Sequence, residues 1–323
     1  MGEKTETIWP KFIENTFKQW LKPDGFLVFI NPLSWLKKSH SLHNEMLGKH
    51  IAWLKLWDDS QSKCMINADI PISLYVLQNT TNSANKKTEI ISEIKRKKLT
   101  TTSFEYLNKN YTIPLAFHSI FDKLIQFREK HKCALEYKTK TVKNEHEIIK
   151  ILNKKSKKYE DKSVSIEAIP IPETYNLEDN WAIDTYTIKE GLMVKKATDQ
   201  HPDASKRKLI IANKRGFKGA FIDEGKLSIT GTEKIYILGE KLELILKIMN
   251  FGISNIICDY TKYRMSFLEK EVCNYIPDIR KLGIMDITED EFYKLIGLTR
   301  QEIKQIKNPT SRELPQCDED DEE

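Results

Sequence analysis

Apolar residues in the first eighty positions fall into short runs separated by polar turns. Ile13, Phe17, Trp20 and Leu21 recur at helical spacing and predict a helix over residues 11–22. The turn Pro23-Asp24-Gly25 leads into the continuous run FLVFI at residues 26–30, which reads as a fully buried strand. Asn31-Pro32 ends it, because proline has no N–H for a ladder and restricts the residue before it. Leu42, Met46 and Leu47 suggest a short helix before a second strand, IAWLKLW, at residues 51–57. A polar loop over residues 58–63 then precedes a third strand, IPISLYVL, at residues 70–77, and the short connection suits an antiparallel pair. Helix, turn and buried strand repeat the αβ step of a layered sheet, in which ligands gather at the carboxyl ends of strands. Asn31, Pro32 and Trp35 therefore stand where a cleft would be lined, although a tryptophan in this position also suits a core.

Three strands are few for an independent α/β domain. The pattern reads as the back half of a doubly wound sheet without its front half, ending near residue 78. Residues 79–103 are polar and read as a linker, with a lysine-rich helix over residues 89–99. Helical spacing returns at Phe117, Ile120, Phe121, Leu124 and Phe127, and a second helix is expected over residues 145–159, in which Ile148, Ile151 and Leu152 are followed by Lys154, Lys155, Lys157 and Lys158. Beyond residue 163 the period shifts toward two. Strands are expected at residues 164–169, 182–188, 208–212, 219–223, 226–230 and 234–238, with Asp223-Glu224-Gly225 as a hairpin turn. A helix is expected over residues 240–251. Two capping-box spacings, Thr288 to Glu291 and Thr299 to Glu302, each start a short helix. The fold class is thus α/β plus α+β: residues 1–78 a partial α/β layer, 79–103 a linker, 104–307 an α+β domain, and 308–323 an acidic disordered tail.

Charge sharpens this division. The net charge is +5, but residues 318–323 are six consecutive acids, and the chain without them carries +11. A basic body is expected of a protein that meets a phosphate backbone, although lysine-rich usage alone also reflects base composition. No apolar run approaches a membrane span and no signal segment is seen, so an intracellular protein with no membrane partner is expected. The five cysteines show no C-x-x-C spacing, and no histidine pairs with a carboxylate or cysteine at a ligand spacing, so no metal is expected.

Catalytic signatures are sparse. No G-x-G-x-x-G or G-x-x-x-x-G-K loop, G-x-S-x-G elbow or H-E-x-x-H pair occurs. However, IWPKFIENTFKQWLKPDGFLVFINPLSWL followed by DIPISLYVLQN resembles the middle of the γ-class N6-adenine DNA methyltransferases of type II restriction–modification systems. KLIIANKRGFKGAFIDEGKLSITGTEKIYIL, the helix after it and NYIPDI resemble that family's carboxyl-terminal target-recognition domain. The resemblance spans most of residues 8–78 and 104–307. It implies the later strands of a methyltransferase sheet followed by a recognition domain that binds double-stranded DNA.

Two family motifs are absent: the upstream glycine-containing segment that binds S-adenosylmethionine, and the catalytic Asn-Pro-Pro-Tyr. Asn31-Pro32-Leu33-Ser34 matches a later strand end rather than that motif. The motif positions the target amine for attack on the methyl sulfonium, so this chain alone is expected neither to bind the cofactor nor to catalyse transfer. A partner chain carrying the front half would supply S-adenosylmethionine binding and catalysis. The alternatives are a non-enzymatic DNA-binding module or inactive remnant, and an interaction protein whose half-sheet pairs with another chain. The DNA-contact candidates are Lys206, Arg207, Lys208, Lys214, Arg215 and Lys218, which cluster around one strand and the Gly216 turn. Arginine is the expected base reader and lysine the expected phosphate contact.

Overall fold

The computed structural model describes residues 8–83, 85–94, 99–143, 145–152, 159–187, 191–212, 217–230, 234–263 and 269–308. The chain divides into two compact units, Met1–Ile125 with Asp259–Met265 and Leu295–Glu323, and Gln126–Cys258 with Ser266–Lys294. The fold is mixed α/β with mixed sheets. Among the described residues no helix is long and apolar enough to cross a membrane.

In the first unit, α1 (Ile8–Asn15) continues into a widened helical turn, Thr16–Trp20. The Asn79 side chain donates to the Leu21 and Lys22 carbonyls at 3.0 and 3.1 Å, which ties the entry turn to the strand that will lie beside it. The sheet comprises β1 (Phe26–Pro32), β2 (Lys49–Trp57), β3 (Ile72–Thr81), β4 (Thr88–Ile94) and β5 (Leu99–Glu105), in the order β1-β3-β2-β4-β5. β3 runs antiparallel to both its neighbours, so β1 and β2 run the same way; β4 is parallel to β2 and β5 antiparallel to β4. Between strands lie α2 (His43–Leu47) and α3 (Asp59–Ile66), and α4 (His118–His131) follows the sheet.

Register decides which side chains share a face. Phe29, Tyr75, Leu54 and Ile90 lie across one face, and Asn31, Ser73, Leu56 and Ser92 lie beside them. All but the half-buried Phe29 are buried. The opposite face carries Val28, Val76, Trp53 and Glu89, then Ile30, Leu74, Lys55 and Ile91, none of them fully buried. The strand expected to be fully buried is therefore an edge strand with one open face: Phe26 and Val28 are each 61% exposed and Ile30 is 45% exposed. Continuous hydrophobicity fits a strand built to be covered on both sides, and here one side is uncovered.

Three other expectations are corrected. Residues 79–103 are not a linker, since β4 and β5 extend the first sheet through them; Thr88, Ile90, Ser92 and Ile94 alternate inward, an apolar period masked by hydroxyl residues. The polar loop at residues 58–63 is the start of α3, with the Asp58 carboxylate accepting from the Gln61 N–H at 2.9 Å as an N-cap. The helix at residues 145–159 is instead the hairpin of β6 (His146–Leu152) and β7 (Tyr159–Ser165), as β-branched Ile148, Ile149 and Ile151 favour. Lys154, Lys155, Lys157 and Lys158, and the tail beyond residue 308, lie outside the described residues.

The second unit pairs two further sheets. β8 (Ile169–Pro170), β9 (Trp181–Thr187), β10 (Gly191–Lys196) and β13 (Ser228–Ile229) form one in the order β13-β9-β10-β8. β11 (Lys208–Ala212), β12 (Ala220–Asp223) and β14 (Lys234–Leu238) form the other, with β11 central. Ile183 and Ile229 from the first meet Ile210 and Tyr236 from the second in a fully buried cluster. α5 (Leu242–Met249), α6 (Gly252–Tyr260) and α7 (Glu289–Ile296) follow, whereas α8 (Arg300–Lys307), with a complete capping box from Thr299 and Glu302, belongs to the first unit. Thr288 and Glu291 exchange the equivalent bonds ahead of α7.

Asp223-Glu224-Gly225 is not a hairpin turn. β12 pairs with β11, whereas β13 pairs parallel to β9, so this turn passes the chain from one sheet to the other. Gly225 has φ +89°, and a Cβ there would stand 2.5 Å from the Ser205 carbonyl oxygen. Both demands admit only glycine. Gly225→Ala is expected to lower stability by about 1–3 kcal/mol. The urea midpoint measures this, and a midpoint equal to that of the parent would show that the turn relaxes freely.

Candidate nucleic-acid interface

The basic residues singled out by sequence lead into β11, and the structure gives them different surroundings. Lys208 is the first residue of β11, the central strand, and its side chain is fully buried. Its ammonium donates to the Asp223 carboxylate at 2.5 Å and to the carbonyls of Ala204 and Lys206 at 2.8 and 3.1 Å. Burial pulls the Lys208 pKa down, and Asp223 opposes that pull. Asp223 is equally closed in, and also accepts from the backbone N–H groups of Lys226 and Leu227 at 3.1 and 3.3 Å. With all three ammonium protons used, Lys208 has no means of reaching a phosphate. It is a structural pin, and its place among DNA contacts is corrected on that ground.

Arg207, whose side chain is 37% exposed, spreads its guanidinium between two carboxylates: Nε donates to Glu224 at 2.9 and 3.0 Å, and Nη2 donates to Glu243. These two partners, Glu243 first, raise its pKa. Lys206 is 58% exposed and donates to Asp203 at 2.6 Å. Lys218 is exposed, just before β12. Lys214 and Arg215 lie outside the described residues, as does Gly216.

Asp203 gathers several of these groups. Its carboxylate accepts from Lys206, from the Tyr236 hydroxyl at 2.8 Å and from Lys138 at 3.1 Å. Lys206 foremost, with Tyr236 and Lys138, holds its pKa far below the usual carboxylate range. The neighbouring His201 accepts the Asp203 N–H on Nδ1 at 3.0 Å, which leaves Nε2 to donate to the Lys140 carbonyl at 3.0 Å. That arrangement requires the neutral ring, and burial lowers the His201 pKa accordingly. Lys138, 52% exposed, was missed by sequence reasoning because 65 positions separate it from Asp203. In the same unit, the half-buried Lys196 lies 3.9 Å from the Trp181 ring centre and the exposed Lys226 5.3 Å from that of Tyr175.

The three cleft candidates belong to the first unit. Asn31 is buried, donates from Nδ2 to the Tyr75 hydroxyl at 3.3 Å and accepts the Ser73 hydroxyl on Oδ1 at 2.8 Å. Trp35 is wholly buried; its indole N–H donates to Ser73 Oγ at 2.8 Å and its ring meets Tyr75 edge-on at 5.7 Å. Pro32 is half-buried and pairs with Ile72 at the strand end. Asn31 and Trp35 thus close a core network rather than line a cleft, because β3 brings Ser73 and Tyr75 against them. The chain matches no family model and no curated protein.

Two expected outcomes follow from this geometry. Lys208→Met strands the Asp223 charge in the interior and costs about 3–5 kcal/mol, while Lys208→Met with Asp223→Asn recovers much of that loss in urea titration. Because folding depresses the Asp203 pKa, its contribution is present above the unfolded value of about 3.9 and is lost as pH falls toward the folded value. Acid titration of stability should therefore be less steep below about pH 4 in Asp203→Asn than in the parent. Equal slopes would remove Asp203 from the acid response.

Proposed function

We propose that this chain is the DNA-recognising portion of an adenine-specific N6 DNA methyltransferase of restriction–modification type, joined in the working enzyme to a front half that binds S-adenosylmethionine and carries the catalytic motif. One observation carries the reading: β1 lies at the edge of its sheet with Phe26, Val28 and Ile30 uncovered. A strand apolar on both faces is composed for the middle of a sheet, between strands on both sides and layers above and below. The free edge of β1 is where a front half would add its strands. The second unit supports the DNA-binding part through its exposed lysines, Lys138, Lys206 and Lys218, with Lys214 and Arg215 as proposed further contacts.

A second reading is favoured by the closure of Asn31 and Trp35 into the core network, which removes them from any cleft. On that reading the chain binds DNA without catalysing a reaction.

Methyl transfer from labelled S-adenosylmethionine to DNA separates the two readings. The chain alone is expected to be inactive, and a polypeptide carrying the glycine motif and Asn-Pro-Pro-Tyr is expected to restore transfer. Inactivity both alone and with that polypeptide, with DNA still bound, selects the second reading. For binding, Lys218→Ala and Lys214→Ala should each lower affinity and reduce the slope of log K against log salt by about one. Arg215→Ala should narrow the gap between specific and random DNA by about 1–3 kcal/mol. Salt slopes unchanged in all three variants would move the interface elsewhere.

A further inference from the structure

A cleft of about 460 Å³ in the first unit runs along β5. Its lining includes the consecutive residues 99–103 together with Glu105. Successive side chains of a strand point to opposite faces, so a cleft touching consecutive residues abuts the hydrogen-bonding edge of the strand rather than either face. That edge is open: among the described strands β5 pairs only with β4, and alternate residues of an antiparallel edge direct N–H and C=O outward. Across the cleft stand Phe117, His118 and Ser119 at the start of α4, and Gln305 and Asn308 at the end of α8.

The far wall holds an unused polar group. His118 is 8% exposed, and its Nε2 has no hydrogen-bond partner. Burial pushes its pKa down to about 4, so the ring is neutral and Nε2 offers one donor or one acceptor. Leaving such a group unpaired costs about 1–3 kcal/mol. Phe117, immediately before it, has φ +62°, a conformation that strains a bulky residue and sets where α4 begins. At the last residue of β5, burial and the negative charge of Asp122 raise the Glu105 pKa, with Lys87 opposing.

We propose that this cleft is a peptide-binding site in which an extended segment of a partner protein adds to β5 as a sixth strand, with a basic side chain directed to Glu105. Backbone groups of β5 supply the ladder, and the threonines of the strand exclude bulky flanking side chains. A volume of about 460 Å³ suits a short extended segment rather than a folded partner, and the Glu105 carboxyl complements a basic side chain. This site is independent of the free edge of β1 and of any methyl transfer.

The test uses the whole chain labelled with nitrogen-15 and a capped hexapeptide alternating valine and threonine with one lysine. Saturable amide shifts confined to β5 and the start of α4, with a Kd on the order of 0.1–1 mM, support the proposal. The same peptide with alternate amides N-methylated should cause none, and norleucine in place of lysine should weaken binding about threefold in the parent but not in Glu105→Gln. Absence of shifts at millimolar peptide overturns the proposal, as does equal binding of the N-methylated peptide. It is also overturned if the protein alone sediments as a dimer with the outward amides of β5 already protected from exchange.

Discussion

The buried pair of Lys208 and Asp223 stands where the chain of the second unit leaves one sheet for another. Two full charges inside a protein are unfavourable unless every proton and lone pair finds a partner. Here the ammonium is shared among one carboxylate and two carbonyls, and the carboxylate also closes the turn that follows it. Lys208 fixes the start of the central strand β11, Asp223 fixes the end of β12, and the two N–H groups held by Asp223 aim the chain toward β13. The cluster of Ile183, Ile210, Ile229 and Tyr236 then packs between sheets whose relative placement that turn has set. Just before and at the start of β11, the three adjacent cations Lys206, Arg207 and Lys208 go to four different acids, Asp203, Glu224, Glu243 and Asp223.

The first unit is organised by contrast between the two faces of one sheet. Its closed face holds Tyr75, Leu54 and Ile90 beside a polar knot of Asn31, Ser73 and Trp35, in which each buried donor is matched. Such a knot specifies register, because a one-residue slip of β1 against β3 would carry Asn31 away from Ser73 and to the other face. The open face has no comparable demand. There Lys55 and Glu93 pair at 2.8 Å, and the Trp57 indole N–H donates to the same carboxylate at 2.6 Å, while the apolar residues around them remain in contact with solvent.

What could be read from the sequence were elements with strong local signals. β11, β12 and β14 lie close to their expected positions, as do α5 and the two short capped helices, because alternation, helical period and capping chemistry are local. β4 and β5 escaped notice because Thr88, Ser92, Thr100 and Thr102 look like linker composition until a neighbouring strand reveals which of them alternate inward. The hairpin of β6 and β7 was mistaken for a helix because isoleucines at close spacing fit either period. Site residues were less legible still. Lysine in sequence carries no mark distinguishing Lys208, whose side chain is buried, from Lys206, whose side chain is mostly exposed; only the distant positions of Asp223 and Asp203 separate them. Trp35 could be read as core or cleft, and the tertiary pairing of β1 with β3 placed it in the core.

The uncovered side of β1 also bears on how the molecule behaves in concentrated solution. Phe26, Val28 and Ile30 form an apolar ridge beside a backbone edge that no other described strand pairs, with Trp20 and Phe12 also exposed in the preceding helical segment. Natural sheets commonly blunt such edges with a charge, a bulge or proline, and within β1 the sole such device is Pro32 at its very end. An edge of this kind favours self-association as the concentration rises. A lysine placed at Val28 would interrupt the ridge and supply the charge that the strand lacks.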